Sequence, residues 1–367
     1  MGSPPAQRVP LIDTLRLLCM AGVVVVNAAS FSLAGSGPIT GVVEPPGSML
    51  AACVHAITVA LFQNKAYPLL AFLVGYTMAM QMRGGGPAQI ARRKRVAWIM
   101  IALGLIHGFL LYFGDILLAY GVMMLILVRL RALRLPWLLR LAIAMGVISA
   151  LTSLAFSATL AQDVTHPLGD AATWAQAISE NATIFLYSVL ALPIGLLPAV
   201  LVFGILGLAA GRLRWLEAPH RWRKQWQRVA GTALPWGLLI NGVNGVACGV
   251  TGYGGIHYDF TEFTVPNIAG PVLTAGVVAA LALRLHDGKS AWLRTLAPAG
   301  RYTLSMYLGT SAVLMLSMPR AGLGLSDALG TAGLFMFAVA LSVLWLVIAL
   351  ALAQRGIIGP AERLLRR

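Results

Sequence analysis

Charge is scarce in this chain. Only 11% of its residues are Asp, Glu, Lys or Arg, against about 25% in an ordinary soluble domain. That shortage excludes a water-soluble globule, a disordered chain and a charge-laced coiled coil. Cysteine is nearly missing too. Cys19, Cys53 and Cys248 lie in or beside apolar runs, with no metal or redox spacing, so they build no disulfide framework. Strand-period alternation is absent, which argues against a barrel. There is no Walker sequence, no dinucleotide fingerprint and no serine elbow. No fixed-period repeat or low-complexity linker divides the chain, so residues 1–367 read as one domain.

What is present is apolar. Hydrophobic residues make up 59% of the chain, and the mean hydropathy is +0.81. The fold class is therefore all-α, a polytopic bundle of membrane-spanning helices. The apolar runs place ten spans, at roughly 12–34, 66–82, 96–113, 115–128, 137–160, 183–211, 229–250, 267–285, 301–318 and 329–353. The first is read as a retained helix, because Asp13 and Arg16 lie inside its start and its apolar stretch is too long for a signal peptide. The run 49–62 is too short to span and is expected to lie at the outer surface. Segments 212–228 and 284–301 are expected as amphipathic pieces on the inner surface, with Trp215, Trp222, Trp226 and Trp292 among the basic residues.

The net charge is +15. All but two of the 27 Lys and Arg residues fall at the termini or between every second span; the exceptions are Lys65 and Arg320. Eight of the twelve acids occupy the alternate loops. This is the positive-inside bias, and it puts both termini in the cytoplasm. It also accounts for the charge through anionic lipid headgroups, so no nucleic-acid partner is expected.

Ionisable groups inside a membrane are costly and point to function. Asp13 and Arg16 share a face of the first helix, and Asn27 lies about 16 Å further along the same stripe. Lys65 opens the second span, where the bland reading is a snorkelling lysine. His107 lies in the outer half of the third, flanked by Gly104 and Gly108, and Asp115 lies at its outer end. On one continuous helix these two would be about 80° apart and need not touch. The loop 253–262 holds His257, Asp259 and Glu262, but their spacing fits no metal template, and no metal is expected.

Several segments carry a resemblance. They are Ile12-Asp13-Thr14-Leu15-Arg16 with Asn27, Asn64-Lys65-Ala66-Tyr67, Gly104 to His107 through Gly114-Asp115 to Tyr120, Gly300-Arg301-Tyr302 to Leu308, and the tail from Gly359. Together they resemble the YeiB-like family of bacterial inner-membrane proteins. Leu17, Met306 and Thr310 depart from the family's glycine, asparagine and glutamine. That family is similar to the transmembrane acyltransferases, which include heparan-alpha-glucosaminide N-acetyltransferase. In the related sugar O-acetyltransferases a histidine stands where this chain has Asn27, so that histidine's role does not carry over.

The resemblance implies a multi-pass protein of the bacterial inner membrane. It implies transfer of an acyl group, with acetyl the expected cargo, from cytoplasmic acyl-CoA to a hydroxyl or amine of a small-molecule, glycan or lipid-linked acceptor. His107 is then the candidate base or acyl carrier, because histidine titrates nearest neutrality. Asp115 would orient it. Lys65 and Asn27 are candidate oxyanion donors. Arg16, Arg92, Arg93 and Arg95 are candidates for the CoA phosphates. A homo-oligomer is compatible with this reading. Two rival readings stand beside it: a transporter or flippase for a polar or lipid-linked solute, and a non-catalytic partner in an envelope complex.

Overall fold

A computed structural model describes residues 9–31, 48–83, 86–159, 171–251, 265–288 and 290–366. The loop 253–262, with its His257, Asp259 and Glu262, lies outside them, as do Glu44, Asp163 and Asp170. The described chain is helical, with no strand among the described residues. Six helices are long and apolar enough to cross a membrane, or seven if one bent pair counts as a single span. This is consistent with a helical membrane bundle. Large apolar side chains cover its outer wall, among them Leu151, Leu190, Trp236, Val250 and Met336. Exposed apolar area on that scale needs a nonaqueous neighbour.

The first half of the chain holds α1 (Pro10–Phe31), α2 (Met49–Leu61), α3 (Ala66–Gln81), α4 (Pro87–Leu110) and α5 (Leu117–Leu130). Then come α6 (Leu135–Thr159), α7 (Trp174–Ala191), α8 (Leu196–Arg212), α9 (Arg223–Thr251) and α10 (Val265–His286). The last part has α11 (Ala291–Leu296), a 3₁₀ segment (Ala297–Tyr302), α12 (Thr303–Ser317), α13 (Leu325–Ala328), α14 (Thr331–Gln354) and α15 (Pro360–Leu364). The helix pairs in closest register are α3 with α8, α9 with α10, α2 with α9 and α4 with α5. α1 is the central strut, packing against α3, α12, α14 and the 3₁₀ segment.

Small residues bring these helices together. A Cβ at Gly75 of α3 would sit 2.0 Å from the Gly204 carbonyl oxygen, and one at Gly207 of α8 would sit 2.0 Å from that of Phe72. In hydrocarbon, apolar burial gives little drive for association, so backbone approach of this kind supplies the dispersion contact. α2 stands against α9, and α2 with α3 makes one 33-residue apolar stretch, Met49–Gln81. α7 and α8 form the bent pair, turning by 62° at the break between Ala191 and Leu196, beside Pro193. Proline cannot donate to the helix ladder, and its ring crowds the preceding turn.

The four acids outside the alternate loops are all engaged in structural contacts. Asp13 pairs with Arg16 at 3.6 Å, Glu217 with Arg83 at 2.5 Å and Asp287 with Arg223 at 2.6 Å. Glu362 of α15 caps α12, accepting from the Leu304 and Ser305 backbone N–H groups at 2.9 and 3.0 Å and from the Ser305 hydroxyl. A carboxylate at a helix N-terminus satisfies orphan donors and opposes the dipole. The tail therefore closes the basic end of the bundle. Trp215, Trp222 and Trp226 gather there, with ring centroids 5.7 Å apart in two of the pairs. Cys19, Cys53 and Cys248 form no disulfide among the described residues.

Candidate functional site

α4 ends earlier than its apolar run suggests. The N–H groups of Leu111 and Tyr112 both donate to the His107 carbonyl, at 2.8 and 3.0 Å, and the chain leaves the helix. The linking turn folds Asp115 back beside His107. Nδ1 of His107 lies 2.8 Å from Oδ1 of Asp115, and both side chains are buried. Oδ2 accepts from the Leu118 N–H at 2.8 Å, in the first turn of α5. The carboxylate is thus held by a helix N-terminus on one side and by imidazole on the other. Gly104 makes the room: a Cβ there would lie 2.7 Å from Oδ2 of Asp115 and 2.3 Å from the Leu118 nitrogen. Gly108 serves the same end against the Phe185 ring.

Aromatic rings fix the imidazole. Tyr307 of α12 lies 4.8 Å away between centroids, and its hydroxyl accepts from the Ile116 N–H at 3.3 Å. Tyr112 stands edge-on at 6.4 Å. A carboxylate only accepts, so Nδ1 is the donor in this contact, and in the neutral imidazole Nε2 then presents a lone pair. Nε2 is buried and has no hydrogen-bond partner among the described residues. A buried polar atom left unpaired costs about 1–3 kcal/mol, so its retention calls for a chemical reason. Thr310 and Ser311, one turn beyond Tyr307, are also buried with unpartnered hydroxyl oxygens.

Two cavities approach this pair. One, of about 410 Å³, is lined by Asp115, Asn64, Tyr67, Asn267 and the α7–α8 break. The Tyr67 hydroxyl donates to Oδ1 of Asn267 at 2.7 Å, and the Tyr120 hydroxyl donates to the Tyr67 carbonyl at 2.7 Å. The other, of about 610 Å³, lies at the basic end. Arg16, Arg92, Arg93, Arg301 and Arg366 line it, with Glu362. Arg93 is steadied by the Gln81 side-chain oxygen. Met100 also lines the second cavity. His107 is seven residues further along α4, within about 20° of the same face and about 10 Å along the axis. The first cavity therefore reaches the pair at Asp115, and the second ends about one to two turns short of it on α4; His107 itself lines neither.

The predicted site residues fall into two groups. His107 and Asp115 meet. Arg16, Arg92 and Arg93 share one wall, but Arg95 is not on it. The lining positions 92, 93, 96 and 100 centre on one face of α4, and Arg95 projects roughly 115° away. Lys65 is not on the first cavity's wall, although its neighbours Asn64 and Tyr67 are. Its Nζ donates to the Val59 carbonyl at 2.7 Å, tying down the last turn of α2. Asn27 is buried on α1 and lines neither cavity. Sequence reasoning did not single out Tyr67, Asn267, Arg301, Tyr307 or Arg366 as site residues. Arg301 and Tyr307, within the segment Gly300 to Leu308, Arg366, in the tail from Gly359, and Tyr67, beside Lys65, lay in segments that carried a signal; Asn267 did not.

No curated protein matches the chain. Residues 210–367 are similar to the family described as Protein of unknown function (DUF418), a match that takes in Arg301, Tyr307 and Arg366 but neither His107 nor Asp115.

Proposed function

We propose that the protein is an acyl-CoA-dependent membrane acyltransferase. The observation that carries this reading is the buried His107–Asp115 pair with its unpartnered Nε2, whose carboxylate borders a largely apolar cavity and whose helix α4 also borders an arginine-lined one, about 10 Å back at Met100. The phosphate-rich end of CoA matches five guanidinium groups, and Glu362 is already occupied in capping α12. The pantetheine arm would then run along α4 from Met100 toward His107. Met100, Met124 and Met78 line that inner cavity, and flexible thioether chains can part for it.

In the reaction the acceptor O–H or N–H attacks the thioester carbonyl carbon and gives its proton to Nε2. The tetrahedral intermediate collapses, the C–S bond breaks, and the imidazolium returns the proton to the leaving thiolate as CoA-SH. Asp115 holds the tautomer and balances the transient imidazolium. Tyr67 and Asn267, on the acceptor side, are nearer to hand than Lys65 as donors to the oxyanion.

The test is binding of acetyl-CoA and CoA to the purified protein, with thioester hydrolysis followed in the same sample. Saturable binding with slow turnover is the expected result. No binding across several acyl-CoAs would overturn the reading. The rival transporter reading draws on the broken α7–α8 pair, whose hinge residues line a cavity.

The finer topology is part of the same proposal: ten spans, both termini cytoplasmic, in a bacterial inner membrane. It takes α3 as the second span with α2 at the outer surface, joins α7 to α8, and adds α4, α5 and α12 to the other apolar helices. Single cysteines near 163 and 259 should label from outside, and cysteines replacing Arg93 or Arg223 should not. External labelling at position 223 would sink the arrangement.

A further inference from the structure

The cavity beside Asp115 is lined by Ser149, Thr152 and Ser153 on α6 and by Ser188 on α7. These helices pack on different neighbours, α6 on α8 and α7 on α4. An exposed lining residue marks the mouth. Ser188 is exposed, and the three α6 hydroxyl residues are half-buried. On their outer wall the same two helices carry large, apolar, exposed residues: Ile148, Leu151 and Leu154 on α6, and Leu186, Leu190 and Ile194 on or just after α7. Such a wall faces hydrocarbon and not water.

The hydroxyls are compatible with that setting. Thr152 donates to the Ser149 carbonyl at 3.1 Å and Ser188 to the Ile184 carbonyl at 3.1 Å, so each donor is satisfied within its own helix. Their small size, with Ala191, Gly195 and Ala199, leaves the space open. Deeper in, the wall is apolar, with Phe185, Val189, Leu192 and Leu196. The polar groups gather on one side: Tyr67 is bonded to Asn267, Asn267 donates to the Ser153 hydroxyl of α6 at 3.4 Å, and Asn64 and Asp115 complete the cluster. A cavity with one apolar wall, one polar side and apolar residues on the outer wall has the polarity profile of an amphiphile.

We infer that this cavity takes a membrane-resident amphiphile, a long-chain lipid alcohol or amine, which enters sideways between α6 and α7 with its polar group against Tyr67, Asn267 and Asp115. The identification of that group as the acyl acceptor rests on the acyltransferase reading; the binding itself does not.

The experiment uses the full chain reconstituted in phosphatidylethanolamine–phosphatidylglycerol vesicles with a diazirine-bearing long-chain alcohol. Photolabelling should concentrate in peptides holding 149–153 and 188–196. A non-reactive long-chain alcohol should compete, and a short water-soluble alcohol should not. Ser188→Trp and, from the opposite wall, Thr152→Trp should each reduce that labelling to the level of other lipid-facing helices. Leu190→Trp, on the outer wall, should leave it in place. Even labelling over all lipid-facing helices, or full labelling in both folded tryptophan variants, would overturn the inference. If acyl-CoA binding is absent while focused labelling persists, the acyltransferase reading fails and the amphiphile site stands. If acyl-CoA turns over while labelling is unfocused, the acyltransferase reading stands and the amphiphile site fails.

Discussion

Replacing His107 is expected to reduce acyl transfer by about 10²–10⁴-fold, the usual cost of removing a general base. The choice of substitution matters because of what surrounds the ring. His107→Ala removes the Nδ1 partner of a carboxylate whose side chain is buried. Leaving such an acceptor short costs about 1–3 kcal/mol. His107→Asn is therefore the sharper variant, since its amide N–H can still reach Asp115 while no base remains. Activity per folded molecule should collapse in both, with thermal stability better kept in the asparagine variant. Asp115→Asn should lose activity nearly as far: the carboxylate accepts from two donors, the Leu118 N–H and Nδ1–H, and an amide has one oxygen, so with that oxygen on Leu118 its NH₂ faces Nδ1, moves the ring proton to Nε2 and removes the base. A purely structural pair gives another pattern: lower yield and stability, with specific activity unchanged. Full specific activity in His107→Asn would falsify the assignment of the base.

The large features of this fold were written along the chain, because bilayer physics acts locally. Charge scarcity, apolar run length and the alternation of basic and acidic loops each follow from the cost of moving charge through hydrocarbon, and all can be counted from sequence. His107 and Asp115 were legible for the same reason. Their contact was not. An uninterrupted helix keeps residues eight apart well separated in angle, and only the end of α4 at Leu110 lets Asp115 return. No proline marks that end; Gly114 is the one local sign.

Lys65 and Asn27 show the opposite failure. Equal depth in a membrane does not imply a shared site, since depth is one coordinate of three. Lys65 turns toward Val59 because the end of α2 offers it a free carbonyl, which sequence position alone does not reveal. The arginine cavity is assembled from α1, α4, the 3₁₀ segment and the C-terminal tail. Such long-range convergence leaves no periodic trace. Arg95 was no easier to read: it stands about 60° from Arg92, closer than Arg92 stands to Arg93, and only the cavity's use of Val96 and Met100 separates it from the lining face.

That separation supplies a control for the second large effect. Arg92→Ala and Arg301→Ala should each weaken CoA binding about tenfold, the low end for a charge-assisted hydrogen bond of about 1.5–3 kcal/mol, because both groups are exposed. They stand on different elements, so the double variant should lose about a hundredfold if the effects add. Arg95→Ala removes the same charge from the same helix but from another face, and should bind CoA as the parent does. Salt is an independent check, because added ions screen exposed guanidinium–phosphate contacts. The parent's affinity should fall with ionic strength more steeply than that of the double variant, which has fewer such contacts to lose. Dephospho-CoA, lacking one phosphate, should bind the parent less tightly and discriminate less between parent and double variant. Equal losses in Arg95→Ala and Arg92→Ala would mean that the basic face attracts CoA only through its net charge. In that case the cavity at Arg16, Arg92, Arg93, Arg301 and Arg366 would have no special part in holding it.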